Sequence, residues 1–332
     1  MNRLLLAVML LAFSGAVSAA TLKIATITPE GSQWMRDMRA GADEIKKRTD
    51  GRVQIKFYGG GVQGNDNKVL GALQGGAFTP SALSSRYADI NLYGLPMVFE
   101  SIEEAAYVRE RMDAKLQQGL EDAGFISFGF AAGGFALIMS NSPVVKTDDM
   151  RGKRVWIPEG DSISYASMEA LSLSPVTLPL TDVLTGLQTG LIDIVGISPI
   201  GALVLQWHTK VKYISDLPLS YTMGLMVIDK KAFRKLSEPD QAVVRDVMTT
   251  LYEKFDEQNL VDNEGAFESL LKQKIELIEF DVEDGNRLRA AMLESNRKLG
   301  EEGAFSMDLY NEMLAYVDEY RAQASAVPAS AD

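Results

Sequence analysis

Cysteine is absent from this chain, and histidine occurs once, as His208. The first absence excludes disulfides, thiolate metal sites and cysteine nucleophiles. The second excludes a histidine-rich metal site, and any serine–histidine–acid triad would have to use His208. No Gly-x-Ser-x-Gly elbow is present. Gly59-Gly60-Gly61 runs into Val-Gln-Gly rather than into the lysine of a phosphate loop, so it reads as a turn. Positive charge is the scarcer sign: 33 Lys and Arg stand against 45 Asp and Glu, a formal net charge of -12. Such a chain repels nucleic acid and anionic lipid, and neither is expected as a partner. No apolar run beyond residue 19 reaches the about 20 residues that span a bilayer, so direct membrane insertion is not expected. With no constellation for hydrolysis or redox chemistry, the chain is expected to be no enzyme and to need no cofactor.

What is present begins with a leader. Met1-Asn2-Arg3 gives a positive start, Leu4 to Phe13 an apolar run, and Val17-Ser18-Ala19 a small-x-small cleavage site. This is the order of a secretory signal peptide over 1–19. The mature chain is expected to start near Ala20, in the periplasm. No cysteine follows the site to carry a lipid. An exported chain without disulfides must rest on its core alone, which its length allows.

The periodicity then alternates between two and three-to-four. Leu22–Thr26 reads as a strand, Ser32–Arg48 as a helix with apolar Trp34, Met35, Met38, Ala42 and Ile45, and Val53–Phe57 as a second strand. A helix from Asn65 or Asp66 through Gln74 follows, and Phe78–Tyr87 shows no clear pattern. Glu103–Gly124 reads as an amphipathic helix and Phe125–Ser140 as one long buried strand, where the chain crosses to a second domain. A second series follows: strand 154–157, helix 162–171, strand 175–178, helix 182–189, strand 191–197. Ser220–Ile228 reads as a return strand. Ser237-Glu-Pro-Asp240 carries a serine cap, a first-turn proline and an acid. The helical spacing after it continues to Leu271, either as one helix of about 35 residues, near 50 Å long, or as two broken near Asn263-Glu264-Gly265. Gln323–Asp332, rich in alanine and serine, is expected to be disordered. Strand–helix alternation gives an α/β class with largely parallel sheets.

Five segments in order carry a resemblance: Tyr58–Gly64, Leu95–Phe99, Asp149–Pro158 (DMRGKRVWIP), Leu184–Asp193 (LTGLQTGLID) and Leu217–Tyr221 (LPLSY). Together they resemble the solute-binding proteins of tripartite ATP-independent periplasmic (TRAP) transporters, DctP type. The resemblance implies a two-lobe periplasmic-binding-protein-like fold with a ligand cleft and a long C-terminal helix bracing both lobes. The lobes are placed at 20–125 with about 215–245, and at 126–214 with about 246–322. It implies that a small-molecule ligand closes the lobes and that the closed, monomeric form is delivered to the TRAP permease subunits. A periplasmic ligand sensor, or a carrier of apolar molecules on the same fold, is the alternative.

The chain departs from the family where the ligand is held. The resemblance implies an arginine two residues before the end of the DMRGKRVWIP strand, where it clamps the ligand carboxylate with two parallel hydrogen bonds. Here that position is Trp156. Arg154 lies two residues earlier, on the same face by alternation, and Arg154 or Lys153 is the candidate replacement. An asparagine expected after the LTGLQTGLID segment is replaced by Ser198, and apolar residues stand near Gly134-Phe135-Ala136. Trp156, Phe135, Tyr165 and Tyr221 are candidate aromatic walls, each equally readable as packing. Trp34 reaches either the cleft or the core. Trp207-His208 follows the Ser198-Pro199 loop, with His208 the more readily structural. Glu159 would meet a cationic group or simply favour a helix start. Without the guanidinium, simple C4-dicarboxylates are expected to bind weakly, and ligands with an apolar or aromatic body better.

Overall fold

The computed structural model describes residues 19–64 and 66–326; the expected leader and residues 327–332 lie outside these. The chain opens with β1 (Ala20–Thr26), α1 (Gln33–Arg48), β2 (Val53–Tyr58), α2 (Asp66–Ala72) and β3 (Gly75–Phe78). Ser32 caps α1, its side chain accepting from the Met35 N–H. Helix α3 (Ile102–Asp122) leads into β4 (Phe125–Ser127) and β5 (Ala131–Ser140). The single strand expected over 125–140 is thus two, broken at Gly129 with φ 122°. Next come β6 (Arg154–Pro158), α4 (Ser162–Ala170), β7 (Ser174–Leu178), α5 (Val183–Thr189), β8 (Ile194–Ile197) and α6 (Pro199–Val204). The return strand β9 (Tyr213–Asp229) is 17 residues long, and is followed by α7 (Lys230–Phe233), α8 (Glu238–Lys272), β10 (Glu276–Ile278), α9 (Val282–Glu301) and α10 (Met307–Ala326).

Two parallel trios carry the lobes. β2 and β3 flank β1, and β7 and β8 flank β6, all in parallel. Each trio is closed by an antiparallel partner: β3 pairs with β9 and β8 with β5. Strand β9 belongs to both sheets. Its Leu225–Asp229 end lies between β3 and β4, and its earlier residues lie between β5 and β10. The two sheets are therefore joined through one strand. β3 escaped notice because half of it is glycine, a poor strand former. A Cβ at Gly75 would run into the Val227 carbonyl, so the close pairing requires glycine there.

Helix α8 is unbroken over 35 residues, capped by Ser237, whose hydroxyl accepts from the Asp240 N–H. Gly265 has open space where a Cβ would stand, so it does not interrupt the helix. α8 is tied to the first lobe by Arg52, which donates to Asp240 at 2.9 Å, and by the Trp34 ring stacked on Phe255 at 4.6 Å. It is tied to the second by Asn263, whose Oδ1 accepts from the Ile200 N–H at 3.2 Å, and by Leu270 in that lobe's core. Gly134 lets α8 sit this close, since a Cβ would stand 2.5 Å from the Asn263 amide.

The last two helices divide. α9 packs on α4 and lays Leu288 and Met292 against the second sheet. α10 instead lies along α3, joined by Lys115–Glu312, by Tyr107 to Glu319 at 2.7 Å and by Arg321 to the buried Glu104 at 2.6 Å. Assigning the whole of 246–322 to the second lobe is therefore corrected at its end. Residues 323–326 are also helical rather than part of a disordered tail.

The carboxylates of the fold titrate in two directions around the ordinary 3.8 of an aspartate. Hydrogen bonds from Arg52 and Arg154 hold Asp240 and Asp193 below it. Their stabilisation is present above 3.8 and is lost as pH falls through their folded values. Burial pushes Asp113 and Asp161 above it. These two favour the folded state increasingly as pH falls from their raised values towards 3.8. The melting temperature is therefore expected to rise slightly as pH drops into the mildly acidic range, then to fall below 3.8. Calorimetry across pH tests this, and Asp113→Asn should flatten the rise; an unchanged rise would remove Asp113 as a cause.

Candidate functional site

The carboxyl ends of the parallel strands in both trios point at one space. Ile27-Thr28 follows β1, Thr79-Pro80-Ser81 follows β3, Glu159-Gly160-Asp161 follows β6, Leu180-Thr181 follows β7 and Ser198 ends β8. Ligands of open α/β sheets sit in this position, because the loops there are free of the ladder. The space is a cavity of about 780 Å³, lined also by residues of β5 and β9 and by Asn259 and Asp262 of α8. Its mouth is drawn together. The Ser84 hydroxyl, which donates to the Ser81 carbonyl at 2.7 Å, lies 3.3 Å from the Gly160 carbonyl, and a Cβ on Gly61 would touch the Thr181 methyl at 2.9 Å.

Of the eight side chains expected at the site, Trp34, Trp156, Glu159, Ser198 and Tyr221 line the cavity. Trp156 is buried, packs edge-on to Trp207 at 5.0 Å, and donates its indole N–H to the Leu178 carbonyl at 3.0 Å. It therefore offers an occupant a ring and no spare donor. Trp34 stands between core and cavity: one face stacks on Phe255, its N–H goes to Asn259 at 3.2 Å, and it reaches the cavity lining. Ser198 caps α6, accepting from the Gly201 N–H. The Tyr221 hydroxyl accepts from Arg109 at 3.0 Å behind the cavity wall.

Phe135, Tyr165 and Trp207 are not among the lining residues. Alternation along β5 gives the cavity Ala136 and Ile138 and turns Phe135 onto Tyr221, 5.9 Å away. Tyr165 sits on the outward side of α4, and Trp207 lies behind Trp156. His208 has its Nδ1 3.0 Å from the Ala202 carbonyl, outside the lining. Arg154, the suggested substitute clamp, is engaged at both ends of Asp193 (2.8 and 2.9 Å), and neither it nor Lys153 lines the cavity.

Among the described residues no lysine, arginine or histidine lines the cavity, whereas Glu159, Asp161 and Asp262 do. Helix α4 points its N-terminus this way, and the Asp161 carboxylate already caps it, accepting from Ser164 at 2.9 Å. A buried anion entering here would find neither a cation nor that helix end open. Asn91, Asn259 and the five lining methionines were not legible beforehand. Asn259 meets Trp34 across a separation of 225 residues, for which the sequence carries no local signal.

Comparison with known proteins places these features. The family model DctP, bacterial extracellular solute-binding protein, family 7, matches residues 24–302. A C4-dicarboxylate-binding periplasmic protein, DctP, of Rhodobacter capsulatus is 29% identical over 155 residues, 45% of this chain and 46% of that protein. An uncharacterized protein of Haemophilus influenzae is 24% identical over 254 residues, 74% of this chain and 72% of the other. The crystal structure of a TRAP periplasmic solute-binding protein from Ralstonia eutropha, with bound (S)-2-acetolactate, superposes with a TM-score of 0.82 at 16% identity, over 90% of this chain and 99% of that one.

Proposed function

This chain belongs to family 7 of the bacterial extracellular solute-binding proteins, and on that premise we propose that the 780 Å³ cavity is its solute site. The protein captures a small molecule in the periplasm and delivers it to a TRAP-type permease. Trp34, Trp156, Glu159, Ser198 and Tyr221 line the site, and the lobes, divided near Gly129 and crossed again in β9, close over the occupant. The observation that carries this reading is the placement of the cavity, at the strand ends of both trios and against helix α8, which is tied to both lobes. The protein acts by binding, not by turnover.

The absence of any cation from the lining supports a solute other than a simple dicarboxylate. A charge-assisted hydrogen bond contributes about 1.5–3 kcal/mol, and a carboxylate buried without one leaves its desolvation uncompensated. Protein taken from the periplasm without unfolding should have a smaller radius of gyration than the same protein unfolded, dialysed and refolded. Equal radii, with a solute identified by native mass spectrometry, would end the closure mechanism. Succinate and malate at millimolar concentration should leave the melting temperature unchanged, whereas a true solute at a hundred times its Kd stabilises by about 2.7 kcal/mol. Clear stabilisation by either diacid, unaltered in Trp156→Ala, would show that the lining does hold carboxylates.

A further inference from the structure

The cavity is not confined to the cleft. Side chains on a strand alternate between faces, and Val155 and Trp156 of β6 belong to opposite packing clusters, yet both line it. The space therefore wraps round the end of β6 and enters the second lobe between its sheet and helices α4 and α9. There its walls are Met150, Val155, Met168, Leu171, Leu288 and Met292. Met168 and Leu171 keep partial exposure, while the other four are buried. This extension is aliphatic and sulfur-lined. The cleft before it is lined by hydroxyls and amides, among them Ser81, Ser85, Asn91, Ser162 and Asn259, and by the carboxylates of Glu159, Asp161 and Asp262, which oppose an anionic head.

Resting on the solute-site reading above, we propose that the solute is an elongated, uncharged amphiphile. Its hydroxyl- or amide-bearing head lies in the cleft, and its alkyl tail enters the chamber beneath α4 and α9. Size supports this. A four-carbon diacid has eight heavy atoms; at the roughly 30 Å³ of a water each, it takes up about 240 Å³. That is under a third of the space available. Chemistry supports it as well. An aliphatic chamber holds water poorly, and methionine side chains adapt their shape to an apolar chain.

Linear 1,2-alkanediols of four to twelve carbons, with the matching n-alkanoates, test this on the full mature protein by titration calorimetry. Diol affinity should rise by up to about fourfold per added methylene until the chamber fills, and each alkanoate should bind at least tenfold more weakly than its diol. Met168→Trp, at a partly exposed position of the chamber wall, should remove the gain of the longest diols; its melting temperature and scattering profile verify folding. Diol affinity that does not depend on chain length would overturn the tail, and alkanoates binding as well as diols would overturn the uncharged head. Both outcomes leave the receptor reading intact. The closure mechanism of that reading fails separately, if periplasm-purified and refolded protein have the same radius while native mass spectrometry identifies a solute in the former.

Discussion

Arg109→Met is expected to lower stability by about 3 kcal/mol, the cost of leaving the partly buried Asp113 and Asp256 carboxylates and the Phe130 carbonyl without their donor, and the melting temperature by roughly 5–10 °C. Arg109 is buried in helix α3, where it donates to Asp113 at 3.1 Å, to Asp256 of α8 at 2.7 Å, to the Phe130 carbonyl at 3.1 Å and to the Tyr221 hydroxyl at 3.0 Å. Asp256 in turn accepts from the Ala132 N–H, and Tyr93 donates to Asp113. One guanidinium therefore joins α3, the bridging helix, the start of β5 and the cavity wall. Lysine keeps the charge but not the planar fork, so Arg109→Lys should recover only part of the loss. Adding Asp113→Asn and Asp256→Asn to Arg109→Met should restore part of it by removing the unpaired charges. Chemical denaturation measures each step. A loss below about 1 kcal/mol in the single variant would put Arg109 with the exposed ion pairs of small effect.

Trp156→Ala should cost about 3–5 kcal/mol, the range for truncating a large buried aromatic. The indole fills the space against Trp207, Val183 and Leu187, and closes the Leu178 carbonyl. Trp156→Phe keeps most of the volume and loses the hydrogen bond, so it should fall between the two, about 1–2 kcal/mol below the parent. Urea unfolding of the three proteins separates the packing loss from the hydrogen-bond loss. If the phenylalanine variant is as unstable as the alanine variant, the N–H contact with Leu178 outweighs the packing.

These two residues show what the sequence can and cannot disclose. Trp156 was found by its place in a resembling segment, and that segment set it at the strand end facing the cavity. That its donor is already used depends on β7 lying beside β6, which no local pattern reports. Arg109 gave no signal, because on a charged helix it reads as one more solvated residue. The start of α8 was legible from its serine cap, since capping is chemistry between near neighbours. The short glycine strand β3 was not, because only its partner β9 explains the glycines. Helices α9 and α10 went unassigned: their surfaces are rich in charge, and their ion pairs, such as Arg297 with Glu294 and Glu301, stabilise a helix without an apolar run. The wall residues Phe135, Tyr165 and Trp207 were grouped by aromatic type, whereas alternation, helix phase and a neighbouring ring decided their orientation.

The drawn-together mouth has a consequence for timing. Its lips meet through the long 3.3 Å contact of the Ser84 hydroxyl with the Gly160 carbonyl and the close approach of Gly61 to Thr181. Even a full hydrogen bond contributes about 0.5–1.5 kcal/mol net, at most about a tenfold bias, and the Ser84 proton is already given to Ser81. Such a latch does little to retain cargo. Residence is then set by the surface the cargo keeps away from water, so dwell time lengthens with the apolar extent of what is carried. A membrane partner that engages the lips has little to break there before release begins.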